Sequence, residues 1–163
     1  MKNQSGIFKS RISVFIAVVV LCIAANTPVS ADNSADDLKL LIRKANAGDT
    51  SAQTALGKRY LEGKGVVKST DQAKKWWLRA AARNNAQAMN NLGALYENGH
   101  GVPKDLTAAV SWYKKAALKG NPTAQNNLGI LYETGQGVAR NYSESFYWYT
   151  KGAESGNADA QSN

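Results

Sequence analysis

The sequence predicts an all-α fold in which pairs of helices stack into a solenoid, and three observations support this. Residues recur at intervals of 36 without gaps, and many of the copies are identical. Within each interval the apolar residues follow helical spacing. Residues suited to begin and to end helices stand at the same register in every copy. A fixed period of this length is typical of helical repeat arrays. The recurring sets are Leu56-Gly57, Leu92-Gly93 and Leu128-Gly129; Tyr60, Tyr96 and Tyr132; and Trp76, Trp112 and Trp148.

Residues 1–31 have the layout of a secretory signal peptide. Three cations and no acid precede residue 12, an apolar run covers residues 12–25, and a polar stretch then ends Val29-Ser30-Ala31. This order of segments predicts cleavage after Ala31 and a periplasmic or secreted protein. An uncleaved membrane anchor is the alternative, but the apolar run is shorter than the roughly 18 residues that a span needs.

The cysteine content excludes one class of site. Cys22 is the only cysteine of the chain, and it lies within the predicted signal peptide. The mature chain would therefore have no thiolate for a metal site and no disulfide, although an exported protein could form one.

A single helix is expected before the first full repeat, within residues 32–48. Leu40, Leu41 and Ala45 stand one period before Trp76, Trp77 and Ala81. Residues 37–47 thus correspond to the second helix of a repeat, and we expect them to cap the amino-terminal end of the array.

Three full repeats follow at residues 49–84, 85–120 and 121–156, and residues 157–163 begin an incomplete fourth. Each repeat reads as two helices separated by a Gly-x-Gly-Val loop. The first helices begin after the N-cap residues Asp49, Asn85, Asn121 and Asn157, and they end at Gly63, Gly99 and Gly135. The second helices begin after Ser69, Asp105 and Asn141, and residues that tolerate positive φ close them at Asn84, Gly120 and Gly156, as Gly48 closes the capping helix.

The repeated residues also predict the packing. Leu92 lies on the apolar stripe of the central repeat and should be fully buried. Gly57, Gly93 and Gly129 fall inside helices, where glycine costs about 1 kcal/mol relative to alanine. We infer that an aromatic ring packs against the bare backbone there. The spacing of the tryptophans indicates core residues rather than a ladder for stacking ligands.

The pattern Ala-x3-Leu-Gly-x2-Tyr-x2-Gly-x-Gly-Val, followed by Ala-x2-Trp-Tyr-x2-Ala-Ala, closely resembles the Sel1-like repeat, a relative of the tetratricopeptide repeat. The match is best from Ala88 to Ala117. The resemblance implies a right-handed α-solenoid of helix-turn-helix repeats, with the first helices lining a concave face. It also implies a role as an interaction scaffold, which for exported relatives is tied to the cell envelope, host contact or toxin immunity. Some exported relatives carry a disulfide in each repeat, and this chain lacks those cysteines.

The sequence holds no recognisable catalytic, metal or cofactor site. His100 is the only histidine, and it stands in a glycine loop where we expect it to face solvent. Without it no Ser-His-Asp set can be assembled, and the acidic residues are scattered. The sequence therefore predicts a protein that is not an enzyme.

Asparagine pairs before the Leu-Gly motif form a candidate partner-binding set. The resemblance places them toward the concave face, where carboxamides could clamp an extended peptide. They could instead hydrogen-bond neighbouring helices. Thr54 and Ala55 interrupt the series, so the expected groove runs over the second and third repeats. The candidates are Asn90, Asn91, Asn126 and Asn127.

Positive charge is concentrated in the first half of the mature chain. After residue 31, seventeen lysines and arginines face twelve acids, and residues 39–83 hold eleven cations against three acids. This segment could recruit an anionic envelope component or simply keep the surface solvated. Nucleic acid is disfavoured for an exported chain. The candidate face comprises Lys39, Arg43, Lys58, Arg59, Lys74, Lys75 and Arg79.

The last full repeat carries the densest aromatic run, which is a candidate terminal interface: Phe146, Tyr147, Trp148 and Tyr149. Residues 157–163 stop before their own Leu-Gly pair. We expect either that the natural chain continues, or that this end pairs with a partner or a second copy.

Together these features predict an exported scaffold or adaptor that binds a protein or peptide and does not span the membrane once its signal peptide is removed. An immunity or inhibitor protein that occludes a toxin or an envelope enzyme is the alternative. A cell-wall hydrolase is a remote third hypothesis.

Overall fold

The computed structural model describes residues 30–156, and this part of the chain forms seven helices and no strand. It is a helical-repeat solenoid. Residues 1–29 and 157–163 lie outside the described residues, and with them lie nearly all of the predicted signal peptide, the Asn157 cap and the start of a fourth repeat. The helices are α1 (Ser30–Asn46), α2 (Thr50–Glu62), α3 (Thr70–Ala82), α4 (Ala86–Asn98), α5 (Leu106–Leu118), α6 (Pro122–Thr134) and α7 (Tyr142–Glu154).

The first helix of each repeat begins and ends at the predicted residues. The side chains of Asp49, Asn85 and Asn121 accept hydrogen bonds from backbone amides three positions later, at 2.8–2.9 Å. Pro122 occupies the first turn of α6, where its missing N–H is not needed. The three terminating glycines are all left-handed, with φ between 70° and 75°. These predictions are confirmed.

The second helices follow the same logic. Ser69, Asp105 and Asn141 cap α3, α5 and α7 by accepting from amides three positions later, at 2.9–3.3 Å. Positive φ angles close these helices at 63° for Asn84, 79° for Gly120 and 85° for Gly156. Gly48, with φ of 94°, does the same after α1. The start and stop signals read from the sequence are therefore confirmed.

Within a repeat, the two helices approach closely because the first one carries a glycine. A Cβ added to Gly93 would lie 2.6 Å from the Tyr113 ring, and one added to Gly129 would lie 2.7 Å from the Tyr149 ring. Gly57 faces the Trp77 indole in the same way. The inferred aromatic contact is confirmed. Leu92, beside Gly93, is fully buried as predicted, and so are its equivalents Leu56 and Leu128.

Hydrogen bonds between successive repeats set their register. The cap residue Asn85 also donates from Nδ2 to Thr50 Oγ1 at 3.2 Å, which joins the first two repeats. One period later, Asn121 Nδ2 donates to Gln87 Oε1 at the same distance. Gln125 Nε2 donates to the carbonyl oxygen of Ala117 at 3.1 Å. Each repeat is thus held to its neighbour by polar contacts as well as by its core.

Helix α1 packs on the first repeat. Ala45 is buried in one cluster with Ala52, Leu56 and Trp76. Leu40 stands one period before Trp76 but is 40% exposed, whereas Trp76 is 9% exposed. The helix begins at Ser30, seven residues before the predicted start at residue 37. Within residues 30–156, no helix combines the length and the apolar character that crossing a membrane requires.

Candidate partner-binding cleft

A cleft of about 410 Å³ lies between α2 and α4, the first helices of the first and second repeats. Its apolar lining comes from both helices and from one aromatic ring of α3. Polar side chains surround this lining, and two of them, Lys58 and Glu62, carry opposite charges. The apolar residues are Ala55, Leu61, Trp77, Ala94 and Leu95, and the polar ones are Thr54, Lys58, Glu62, Gln87, Asn91, Asn98 and His100.

Beside the cleft, the first repeat lacks a polar bridge that the other two possess. In the second repeat, the Tyr113 hydroxyl donates to Glu97 Oε2 at 2.5 Å and is also hydrogen-bonded to Asn127. In the third repeat, the Tyr149 hydroxyl donates to Glu133 Oε2 at 2.7 Å.

The first repeat has Trp77 and Leu61 at the equivalent positions. The indole Nε1 donates instead to the carbonyl oxygen of Thr54, at 3.1 Å. An indole has no acceptor, so it could not form the second bond that the Tyr113 hydroxyl makes with Asn127. Leu61 therefore contributes apolar surface to the cleft where the later repeats place a hydrogen-bonded carboxylate.

Two small side chains enlarge the space further. Ala55 and Ala94 line the cleft from opposite helices. One period later the same positions hold Asn91 and Ile130. The corresponding place between the second and third repeats thus receives larger side chains as well as the Tyr113–Glu97 bridge. Four differences between otherwise similar repeats therefore coincide at the cleft: Ala55, Leu61, Trp77 and Ala94.

Its rim carries charges of both signs. Glu62 accepts from Lys64 Nζ at 2.7 Å and lies 3.9 Å from Lys58 Nζ. The hydrogen bond from Lys64 lowers the pKa of Glu62, and the charges of Lys64 and Lys58 act in the same direction. The rim therefore presents the carboxylate of Glu62 beside Lys58, with Lys64 bonded to the same carboxylate next to the cleft.

The structure separates the four candidate asparagines. Asn91 lines the cleft and accepts from Gln87 Nε2 at 3.2 Å. Asn90 and Asn126 are each only 7% exposed, too buried to clamp a peptide. Asn127 is half-buried and bonded to Tyr113. Consecutive residues of a helix point about 100° apart, so these pairs do not form one ladder. The cleft also lies one repeat earlier than the predicted groove, and it includes Thr54 and Ala55.

The candidate basic face is distributed over three helices. Lys58 lines the cleft. Two others lie over aromatic rings: Lys74 Nζ is 5.2 Å from the Tyr96 centroid, and the Arg79 guanidinium is 4.7 Å from the Trp76 centroid. The remaining four are exposed or half-buried on α1, α2 and α3: Lys39, Arg43, Arg59 and Lys75.

The predicted terminal interface needs a correction. Phe146 and Tyr147 are exposed, but Trp148 is 5% exposed and Tyr149 only 9%. Tyr149 packs on Gly129, and Trp148 belongs to the core. The rotation of the helix between consecutive residues prevents all four from sharing one surface.

His100 is exposed in its loop, as expected, and it contributes to the rim of the cleft. No group of three or more His, Cys, Asp or Glu side chains in the described part of the chain is arranged to hold a metal ion.

Comparison with known proteins gives a consistent result. The sequence profile of the Sel1 repeat family matches residues 50–85, 86–121 and 122–157. A Sel1 repeat protein from Oxalobacter formigenes is 43% identical, with a TM-score of 0.71, and the match covers 77% of this chain and 95% of that one. A protective antigen present in uropathogenic Escherichia coli strains, with the SLR fold, is 46% identical, with a TM-score of 0.73 over 76% of this chain and 27% of the antigen. The cysteine-rich protein B of Helicobacter pylori is 26% identical, with a TM-score of 0.64 over 77% of this chain and 93% of that one. A search among curated proteins gave no match.

Proposed function

Because the chain belongs to the Sel1 repeat family, whose members serve mostly as scaffolds for protein–protein interaction, we propose that it binds a partner protein through the cleft between α2 and α4. The observation that carries this proposal is the local departure from the repeat pattern. Leu61, Ala55 and Ala94 replace larger or hydrogen-bonded residues and leave an apolar recess. Concave, mostly apolar recesses with a few polar groups are the usual form of binding sites.

The lining indicates what the partner presents. Ala55, Leu61 and Ala94 suit an apolar side chain, and the volume of about 410 Å³ leaves room for a large one. The carboxamides of Gln87, Asn91 and Asn98 stand around this recess. They already take part in hydrogen bonds within the protein, but an amide nitrogen has a second N–H and an amide oxygen a second lone pair for a ligand. A peptide segment in extended conformation could insert one apolar side chain while its backbone bonds to these groups.

The repeats themselves supply the test variant. Replacing Ala55→Asn and Ala94→Ile gives the first two repeats the residues found one period later, which should fill the cleft without disturbing the core. A phage-displayed peptide library would be selected on the wild-type protein. We expect peptides with a shared large apolar residue that lose at least tenfold in affinity for the double variant. Ala82→Ile, at an exposed position of α3, is the matched control and should retain affinity. Equal affinity of the selected peptides for all three proteins would contradict the proposal.

Export to the periplasm or beyond is part of the same proposal. It is supported by the cations before residue 12, the apolar run over residues 12–25 and the Val29-Ser30-Ala31 ending. Expression of the whole coding sequence in a Gram-negative host, followed by fractionation and intact-mass measurement, tests it. We expect a periplasmic or secreted product that starts at Asp32. A cytoplasmic product that retains the leader would contradict it.

A further inference from the structure

Three aromatic side chains project from α7 into solvent. Phe146 is 74% exposed, Tyr142 is 64% exposed and Tyr147 is 50% exposed. Tyr142 and Phe146 are four residues apart and so lie on one side of the helix, with Tyr147 beside them. Other large exposed apolar side chains, such as Val67 and Leu118, stand on different elements. We call these three residues the aromatic face of α7.

In the first repeat, the positions equivalent to Tyr142 and Phe146 pack on the next repeat, whereas the position equivalent to Tyr147 is the exposed Lys75. Thr70, one period before Leu106 and two before Tyr142, packs so closely on Gly101 of the next repeat that an added Cβ would lie 2.6 Å from its hydroxyl. Lys74, two periods before Phe146, reaches the Tyr96 ring of the next repeat. Tyr142 and Phe146 thus have the register of an interface between repeats, and they are more apolar than the residues of α3 at those positions.

The geometry points to a second copy of this chain as the occupant of the aromatic face, with two α7 helices packed antiparallel about a two-fold axis. A two-fold contact uses the same patch on both chains. In this arrangement Phe146 and Tyr147 of each copy meet near the axis. Arg140, whose guanidinium lies 5.5 Å from the Tyr142 ring centroid, comes near Glu154 of the other copy. That carboxylate, which Lys151 of its own helix already contacts at 2.9 Å, thus meets a second cation on each side of the axis.

Two further observations favour this pairing over others. Residues 84–163 hold six cations and six acids, whereas residues 39–83 are strongly basic, so copies meeting at α7 do not bring the basic segments together. A head-to-tail contact would need the corresponding surface of the first repeat. Helix α1 already covers it, since a Cβ added to Gly65 would lie 3.5 Å from Leu38 Cδ2.

The size of the face predicts a weak dimer. At these exposures the three side chains offer roughly 400 Å² per copy, or about 800 Å² in total. Stable interfaces bury about 1,200–2,000 Å². We therefore expect a concentration-dependent equilibrium between monomer and dimer rather than a permanent assembly.

Sedimentation equilibrium at micromolar to millimolar concentration tests this on the product purified from cells that express the whole coding sequence. We expect the weight-average mass of the wild type to rise toward twice the monomer mass. Phe146→Asp should remain monomeric over the same range. Leu118→Asp makes the same change at a side chain that is 68% exposed on α5, and it should associate like the wild type. A wild-type monomer throughout, or equal association of Phe146→Asp, would overturn the proposal.

A charge exchange tests the antiparallel orientation. Arg140→Glu and Glu154→Arg, both at exposed positions, should each weaken association several-fold. The double variant Arg140→Glu/Glu154→Arg should restore it. Association that the single changes weaken and the double change fails to restore would overturn the antiparallel arrangement.

Discussion

At the scale of single residues, the three helix-internal glycines show how one atom sets the distance between helices. Gly57, Gly93 and Gly129 each admit the ring of Trp77, Tyr113 or Tyr149 against a bare backbone. Any side chain there would displace the ring that closes the core of the repeat. The cost of glycine within a helix is thus offset by closer packing of the helix pair.

A substitution in the central repeat tests this balance. Gly93→Ala should raise helix propensity, yet we expect it to destabilise the protein by about 1–3 kcal/mol, because its Cβ would lie 2.6 Å from the buried Tyr113 ring. Chemical denaturation would measure the change. Ser111→Ala, at an exposed position of α5, is the control and should be neutral or slightly stabilising. An equal gain in stability for both variants would show that the ring can move at no cost.

The sequence revealed the contact of each ring with its glycine, but not the bonding of its polar atom. Repetition at the same spacing indicated that an aromatic residue must face the glycine. Whether the ring carries a hydroxyl, and whether a carboxylate lies within reach, differs between Trp77 and Tyr113. The residues that recur in every repeat do not indicate the cleft, whereas the positions at which the repeats differ, such as Leu61 and Ala55, do.

At the scale of helices, the Tyr149–Glu133 hydrogen bond joins the two helices of the last repeat. Burial raises the pKa of Tyr149 to about 12, and the hydrogen bond and charge of Glu133 act in the same direction. Burial also raises the pKa of Tyr113, and Glu97 reinforces that shift. In the folded state, both phenols therefore stay protonated at pH values above the usual tyrosine pKa of about 10.

The raised pKa values of the two tyrosines predict a loss of stability in alkaline solution. An unfolded tyrosine ionises near pH 10, whereas folded Tyr149 keeps its proton to about pH 12. The stabilisation is therefore complete below pH 10 and falls as the pH rises toward 12. Denaturation at a series of pH values should show a shallower fall for Tyr149→Phe than for the wild type. Ser143→Ala, at an exposed position of the same helix, removes a hydroxyl that does not ionise in this range and should keep the wild-type slope. Identical slopes for all three proteins would contradict the assignment.

The boundaries of the helices in the three repeats were predictable because their signals are local, whereas α1 begins seven residues before its predicted start. A cap such as Asn85 bonds an amide three residues away, so sequence alone identifies it. The four consecutive aromatics of α7 do not share one surface, contrary to the prediction, because Trp148 and Tyr149 turn inward. The position of the cleft depends on two neighbouring repeats at once, and no local signal reports it.

At the scale of the whole molecule, charge is segregated along the array. The net charge of residues 39–83 is positive, with eleven cations against three acids, whereas the remainder of the repeats is balanced. We expect the protein to bind anionic vesicles of phosphatidylglycerol at low salt and to release them steeply as salt rises. The triple variant Lys39→Glu, Arg43→Glu and Lys75→Glu should abolish this binding. Reversal of Lys104, Lys114 and Lys119 changes the net charge equally in the balanced half and should weaken it less. Binding that does not respond to salt would indicate a solvated surface without this role.

Stability should also vary along the array, because each helix packs mainly on its neighbours in sequence. Helices α4 and α5 contact each other, and they contact α3 and α6 on either side, whereas α7 packs chiefly on α6. In such arrays stability is close to a sum of repeat and nearest-neighbour terms, so a repeat with two neighbours opens less often than one with a single neighbour.

Hydrogen exchange at low protein concentration, where self-association is minimal, should therefore show the slowest exchange in α4 and α5 and faster exchange in α7. Leu92→Ala removes a fully buried side chain from the central repeat, so it should accelerate exchange in α4 and α5 and uncouple the two ends. If α7 exchanged as slowly as α5, and Leu92→Ala accelerated all helices equally, the described repeats would unfold as one cooperative unit instead.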